Sequence, residues 1–288
     1  MDNLFDKSSK IVIIGLGVIG GSYAMALTGA GYSHVYGIDT DPNSVEQAIT
    51  SGIIKSGGDR EKLLASADVV ALCVYPDDAA GCMSEIAPYL KPGVIITDVA
   101  GIKRGYIDAI VSCLPEGARY VPAHPMAGRE KKGIDYADSK VFRGANFIIT
   151  PVGVSDEAAV EAVAKMAVDM GFARIRVLSP EKHDEIVAYT SQLPHALAVA
   201  LINSEDEDAE TGDYIGDSYR DLTRIADINA RLWGQLFIGN SDNLIKVIDD
   251  FERQLVQIKR AVQDGDNEAL ERLFCKSSAR RSALNEHR

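Results

Sequence analysis

The sequence predicts an α/β fold: a doubly wound, mostly parallel sheet followed by an all-helical second domain. Three observations carry this. Short β-rich runs alternate with amphipathic stretches through the first half, the way a parallel sheet with crossover helices is written in sequence. A glycine-rich turn directly follows the first of those runs. After Ser179-Pro180 no convincing strand recurs, and apolar residues fall at helical spacing instead. At 288 residues the chain is long for a single core and comfortable for two domains, so a division into 1–178 and 179–288 is expected.

The first strand is Ile11-Val12-Ile13-Ile14, and the turn after it reads Gly15-Leu16-Gly17-Val18-Ile19-Gly20. A second run, Val35-Tyr36-Gly37-Ile38, closes on Asp39 about twenty residues later, the distance of a dinucleotide-binding fingerprint. The first glycine permits the tight strand-to-helix turn, the second lets backbone approach a pyrophosphate, and the third lets the helix pack closely on the strand. Unpaired N–H groups at the start of that helix point at the phosphates. Asp39 can accept both ribose hydroxyls and repels a 2′-phosphate, which favours NAD over NADP. Gly15, Gly17, Val18, Ile19, Gly20 and Asp39 are therefore the expected cofactor contacts of a Rossmann-type domain.

Further strands are expected at 69–74, 94–97, 120–122, 147–150 and 175–178. A helix is expected over 157–170, with Val160, Val163, Ala164, Ala167 and Val168 on one side. In the second half Pro180 suits a first helical turn, and 181–203 carries Ile186, Val187, Leu193, Leu197 and Leu201 at helical spacing. Helices over 220–226, 230–263 and 267–278 follow. The acidic stretch Glu205-Asp206-Glu207-Asp208 between helices reads as a solvated loop.

Composition is that of an ordinary globular protein, 46% apolar and 25% charged. A net charge of −12 argues against a nucleic-acid partner, which needs a basic face, but not against a small anion met by a few local cations. The N-terminus lacks the basic start and apolar core of a secretory signal, and nowhere do eighteen apolar residues run together. A cytoplasmic location without membrane attachment is the expectation. Cys73, Cys82, Cys113 and Cys275 lack metal-ligand spacing and read as reduced structural thiols, with no metal expected.

A nicotinamide enzyme needs a group for the proton that accompanies hydride, and cations to hold an anionic substrate. Ligands of doubly wound sheets bind beyond the carboxyl ends of the strands. Tyr120-Val121-Pro122-Ala123-His124-Pro125 puts His124 just past a strand and between two prolines, a rigid perch at the cleft edge. A second cluster comprises Ser191, Pro194 and His195 in one helix, with Arg220-Asp221-Leu222-Thr223-Arg224 at the start of another. Arg224 offers a planar fork for a carboxylate, which Asp221 could orient; a surface salt bridge is the competing account.

Several of these pieces recur together. The glycine turn, Thr97-Asp98-Val99-Ala100-Gly101-Ile102-Lys103, His124-Pro125-Met126-Ala127-Gly128, Leu193-Pro194-His195, and Arg220-Asp221-Leu222-Thr223-Arg224-Ile225-Ala226 with Trp233 beyond resemble, in order and across nearly the whole length, the prephenate and arogenate dehydrogenase family of tyrosine biosynthesis. The resemblance implies hydride transfer from the hydroxyl-bearing ring carbon of prephenate to NAD, loss of the ring carboxylate as carbon dioxide, and 4-hydroxyphenylpyruvate as product. It implies that His124 takes the hydroxyl proton and that Arg224 grips a carboxylate. His195 and Ser191 line the same pocket, His195 standing with His124 and Arg224 in the catalytic group, and Glu130 lies at the pocket mouth.

One departure is Gly101, where many members carry a serine that positions the reacting hydroxyl; here it enters as a backbone position in the substrate site. Arg129 adds a cation beside His124, suited to the side-chain carboxylate of the substrate. By the same resemblance the helical domains pair into a homodimer, and Trp233 and Phe237, near Ile245 and Ile248 in sequence, serve either that interface or the monomer's core. Arogenate is the alternative substrate. A β-hydroxyacid dehydrogenase, an imine reductase or a nicotinamide-sensing protein without turnover are the remaining alternatives.

Overall fold

The computed structural model describes residues 5–128, 131–205 and 210–285. In chain order the first half runs β1 (Ile11–Ile14), α1 (Val18–Gly29), β2 (Val35–Ile38), α2 (Pro42–Thr50), α3 (Arg60–Ser66), β3 (Val69–Leu72), α4 (Pro76–Ile86), β4 (Ile95–Asp98), α5 (Tyr106–Val111), β5 (Arg119–Val121), β6 (Ala123–Pro125), β7 (Asn146–Ile149), α6 (Glu157–Asp169) and β8 (Arg174–Val177). The helical half holds α7 (Pro180–Val187), α8 (Leu193–Asn203), α9 (Asp217–Thr223), α10 (Ala230–Gly239), α11 (Ser241–Asp264) and α12 (Asn267–Asn285).

Five strands form a parallel sheet in the order β2-β1-β3-β4-β5. Its central strands β1, β3 and β4 are buried at every position, which is why they read as unbroken apolar runs and not as alternating ones. One face packs on Tyr23, Leu27, Phe142, Phe147 and Met166, the other on Leu64, Met83, Ile86, Ile110 and Tyr120.

The last three strands form a second sheet, β6-β7-β8, antiparallel then parallel. Pro122 is the divide. It has no N–H for a ladder, so β5 ends before it and the chain re-pairs beyond it. His124 consequently lies just beyond the end of β5, as its sequence position suggested, and falls within a further short strand, β6, opposite Ile148.

Helix α6 is capped by Asp156, which accepts from Ala159 N. It buries Ala159, Ala162, Val163, Met166 and Ala167, whereas Val168, expected on the packed side, is 57% exposed. Its last residue, Asp169, accepts from Tyr32 Oη (2.7 Å) and pairs with Lys7 (2.7 Å) and Lys165 (2.9 Å). Burial works against its ionised form, but these donors prevail and hold the carboxyl at about 2. A carboxyl lowered by folding stabilises above its ordinary value and loses that contribution as pH falls toward the lowered one. Asp169→Asn is therefore expected to cost on the order of 1 kcal/mol at neutral pH, after screening on its open face, and clearly less near pH 2. Urea unfolding at the two pH values checks this.

The predicted helix over 181–203 is interrupted by a π-turn, Ala188–Gln192, between α7 and α8. Pro194 lacks an N–H and its ring collides with the carbonyl four residues earlier, and a wider turn absorbs both. The predicted helix over 230–263 is broken at Asn240, whose buried side chain donates to Asp184 O (2.9 Å) and Gln192 Oε1 (2.9 Å).

Met1–Asn240 forms one compact unit and Ser241–Arg288 a second, a helical hairpin of α11 and α12 turning at Gly265 (φ +65°). Leu255, Val262 and Phe274 are exposed on that hairpin. Asp206, Glu207 and Asp208 of the acidic stretch lie outside the described residues. The four cysteines are free. Among the described residues no helix is long and apolar enough to cross a membrane, and no cluster of three or more metal-ligand side chains occurs.

Candidate active site

The glycine turn has the geometry of a dinucleotide cradle. Gly15 has φ +90°, and a Cβ there would lie 2.4 Å from the carbonyl oxygen of Cys73. At Gly20 it would lie 1.8 Å from the carbonyl oxygen of Gly15, so the close approach of α1 to β1 excludes any side chain. Gly17 caps α1 without a side-chain hydrogen bond and has open space around its Cα, leaving the first-turn N–H groups of Val18, Ile19 and Gly20 facing a place for phosphate. Asp39 accepts from Leu16 N (2.6 Å) and Asp41 N (2.8 Å), which holds its carboxylate at the turn with lone pairs left for ribose hydroxyls. These residues fit a dinucleotide.

At the end of β4, Asp98 is buried completely and takes four hydrogen bonds. They come from Lys103 Nζ (2.7 Å), Tyr120 Oη (2.8 Å), Ala100 N (2.8 Å) and Ala123 N (3.3 Å). Lys103 is equally buried and also donates to Ala123 O (2.7 Å), so it anchors the residue before His124. The His124 ring meets His183 through Nδ1 and Nε2 at 2.9 Å, and His183 Nδ1 meets Asp184 Oδ1 at 2.7 Å. Both Asp184 oxygens also accept backbone bonds, from Lys103 N and Arg104 N (2.9 Å each). Burial, with His183 and Lys103 adding to it, pushes the His124 imidazole well below its ordinary range, so it is neutral at physiological pH.

Gly101 sits against His124. Its backbone is not left-handed, and a Cβ there would stand 3.5 Å from His124 Nε2 and 3.3 Å from Leu236 Cδ2. Leu236 belongs to α10, which Arg231 holds on α4 by gripping Asp78 (2.8 and 2.9 Å) and covering the Tyr75 ring (4.6 Å), while Asn229 bonds Tyr75 Oη (3.0 Å). One turn earlier on α10, Trp233 stacks on His195 with centroids 3.6 Å apart and touches Phe237 edge-on. Trp233 is thus a wall of the site. His195 Nδ1 lies 2.8 Å from the Ser191 carbonyl, which can only accept, so that nitrogen carries the hydrogen.

Arg224 opens a 3-10 turn, Arg224–Ala226, that packs on α8 and leaves the arginine exposed. Asp221 is exposed, and Arg220 pairs with Asp217 (2.7 Å). Lys131 reaches Asp227 at 3.6 Å, joining the segment after β6 to the segment after Arg224. Arg129 and Glu130 lie outside the described residues. His124, Gly101 and His195 are thus gathered around α10, and the His124 segment runs close to the start of α1, since a Cβ placed on Gly128 would stand 3.8 Å from Ile19 Cδ1.

Sequence reasoning missed His183, Asp184 and the roles of Asp98 and Lys103. The signal was an adjacent His-Asp pair in the helix opening the second half, and an aspartate and lysine five residues apart after a strand.

Comparison with known proteins places the chain in a family. Residues 23–176 match the model described as "Prephenate dehydrogenase, nucleotide-binding domain", and residues 179–276 the one described as "Prephenate dehydrogenase, dimerization domain". The chain is 32% identical to the cyclohexadienyl dehydrogenase of Zymomonas mobilis over 95% of both chains. It is 29% identical to the prephenate dehydrogenase of Bacillus subtilis over 92% of this chain and 73% of that one. The crystal structure of prephenate dehydrogenase from A. aeolicus, in complex with hydroxyphenyl propionate and NAD+, superposes with a TM-score of 0.86 at 29% identity, covering 96% of this chain and 98% of that one. With a dinucleotide cradle at one end and a neutral imidazole backed by a helical wall at the other, the chain belongs to the prephenate dehydrogenase family of oxidoreductases.

Proposed function

We propose that this protein is an NAD-dependent prephenate dehydrogenase that converts prephenate to 4-hydroxyphenylpyruvate and carbon dioxide in tyrosine biosynthesis. The observation that carries this reading is the neutral His124 ring facing Gly101, on a segment that runs close to the start of α1. When bound, NAD supplies the hydride acceptor, held by Gly15, Gly17, Val18, Ile19, Gly20 and Asp39. His124 takes the hydroxyl proton as the ring carbinol becomes a carbonyl, and returns it to the phenolate oxygen once loss of the ring carboxylate has made the ring aromatic. His195, locked by Ser191 and Trp233, lines the ring pocket, and Gly101 leaves its floor open. Arg224 grips a substrate carboxylate.

NADH formation measured with prephenate tests the reaction, and absence of turnover would sink it. Arogenate is the second reading. It is favoured by likeness to a relative named for the cyclohexadienyl ring, which the two substrates share, and the same assay with arogenate decides between them. Arg224→Ala is expected to raise the prephenate KM about 10–100-fold with kcat little changed, the loss of roughly 1.5–3 kcal/mol for a hydrogen-bonded charge that holds ground and transition state alike. Initial-rate kinetics at saturating NAD checks it.

The functional division in this reading is 1–178 for the cofactor and 179–288 for substrate and dimer. The dimerization-domain match and the exposed Leu255, Val262 and Phe274 support a homodimer through the helical part. A cytoplasmic setting goes with the reading.

A further inference from the structure

The hydrogen bonds behind His124 determine which of its nitrogens carries the hydrogen. Asp184 is buried completely and receives four donors: Lys103 N and His183 Nδ1 on Oδ1, Arg104 N (2.9 Å) and Arg104 Nε (3.4 Å) on Oδ2. Backbone N–H groups can only donate, and an arginine donates too, so Asp184 is a carboxylate and acts as acceptor throughout. His183 Nδ1, 2.7 Å from it, must therefore carry a hydrogen. A neutral imidazole has one N–H, which leaves His183 Nε2 with a lone pair. His124 Nδ1, 2.9 Å away, is then the donor, and His124 Nε2 presents the lone pair. That nitrogen is the one facing Gly101.

We propose that Asp184 and His183 are positioning residues that fix His124 in the tautomer whose Nε2 accepts a proton. The tautomer follows from the hydrogen bonds together with the neutrality of both rings; its consequence for turnover rests on the prephenate dehydrogenase reading. The opposite tautomer would offer an N–H to a substrate hydroxyl that must itself give up a proton. Neutrality of both rings is part of the device. Burial opposes protonation of each, and Lys103 adds to this at both, while Asp184 and Asp98 pull His183 the other way without overcoming it. Once His124 has taken the proton, the chain of bonds through His183 places the Asp184 carboxylate where it stabilises the imidazolium, as the aspartate does in serine hydrolases. Lys103 and Arg104 immobilise that carboxylate from the loop that also holds Gly101.

Nitrogen-15 NMR of the ligand-free enzyme labelled at its five histidines reads the tautomer directly, with His124→Gln used to assign the His124 signals. At neutral pH His124 is expected to show a protonated-type shift at Nδ1 and an unprotonated-type shift at Nε2. The reverse pattern, or an average of the two, overturns the proposal. His183→Phe keeps a buried ring but removes the acceptor. It is expected to shift His124 toward a mixture of tautomers and to lower kcat at least about tenfold, with the prephenate KM within about threefold, whereas His183→Gln, whose carbonyl can accept from Nδ1, restores part of kcat. An unchanged NMR pattern and kcat in His183→Phe overturn it. Should wild-type enzyme fail to oxidise prephenate, the substrate reading falls while the NMR pattern still decides the tautomer.

Discussion

Replacing His124 with asparagine is expected to lower kcat by about 10²–10⁴-fold, the usual contribution of a positioned proton acceptor. Asparagine preserves size and a polar edge but has no nitrogen lone pair of useful basicity. Affinity for NAD should be unchanged, because the cradle at Gly15 to Gly20 and the Asp39 carboxylate are built from other strands. Steady-state NADH formation together with calorimetric NAD titration separates the two effects. Turnover within about threefold of wild type would mean that the acceptor lies elsewhere.

The same residue sets a pH dependence whose sign follows from its surroundings. The neutral ring is the active form, and burial first, then His183 and Lys103, push its pKa well below the ordinary 6.5. The acid limb of kcat/KM is therefore expected below the range of a solvent-exposed histidine, with activity retained through pH 6.5. A limb above that value would contradict the burial of the ring.

Lys103→Met is expected to lower stability by about 3–5 kcal/mol, the largest stability effect anticipated here. The substitution nearly conserves length and volume but strips the ammonium from Asp98, leaving a fully buried carboxylate with only the Tyr120 hydroxyl and two backbone donors. It also orphans the Ala123 carbonyl, which Lys103 Nζ satisfies at 2.7 Å. Removing both charges in Asp98→Asn/Lys103→Met should recover much of the loss, because a buried pair stabilises little over a neutral replacement while half a pair is costly. Urea midpoints for the two single variants and the double variant give the coupling. Additive losses would show that the two side chains do not act as a unit.

Much of the cofactor end was legible because its determinants are local. The turn after β1, the glycine that must tolerate φ +90° and the acid closing β2 lie within one crossover unit, where spacing along the chain maps onto spacing in the fold. The switch from strand to helix after Ser179 was readable for the same reason, since periodicity is a local property. Pro122 was visible too, but its effect depended on strand pairing: it divides two sheets and leaves His124 inside β6.

Helix breaks were misread where a buried partner decided them. Nothing in the period of 230–263 marks Asn240; it interrupts the helix while its amide satisfies Asp184 O and Gln192 Oε1, groups 56 and 48 residues away. The π-turn before Pro194 was foreseeable from the proline, which an otherwise continuous apolar pattern concealed.

By itself the amino-acid order determined the α/β class, the dinucleotide cradle and the presence of a histidine and an arginine suited to an anionic substrate. It did so because strand patterning, glycine turns and residue chemistry act over a few positions. How those residues are served was settled by the folded packing. His183 and His124 stand 59 positions apart, Asp184 takes its backbone donors from residues 80 and 81 positions earlier, and Trp233 reaches His195 across α8 and α10. Hydrogen bonds and ring contacts act over a few ångströms of space whatever the separation along the chain, and packing alone brings such partners together.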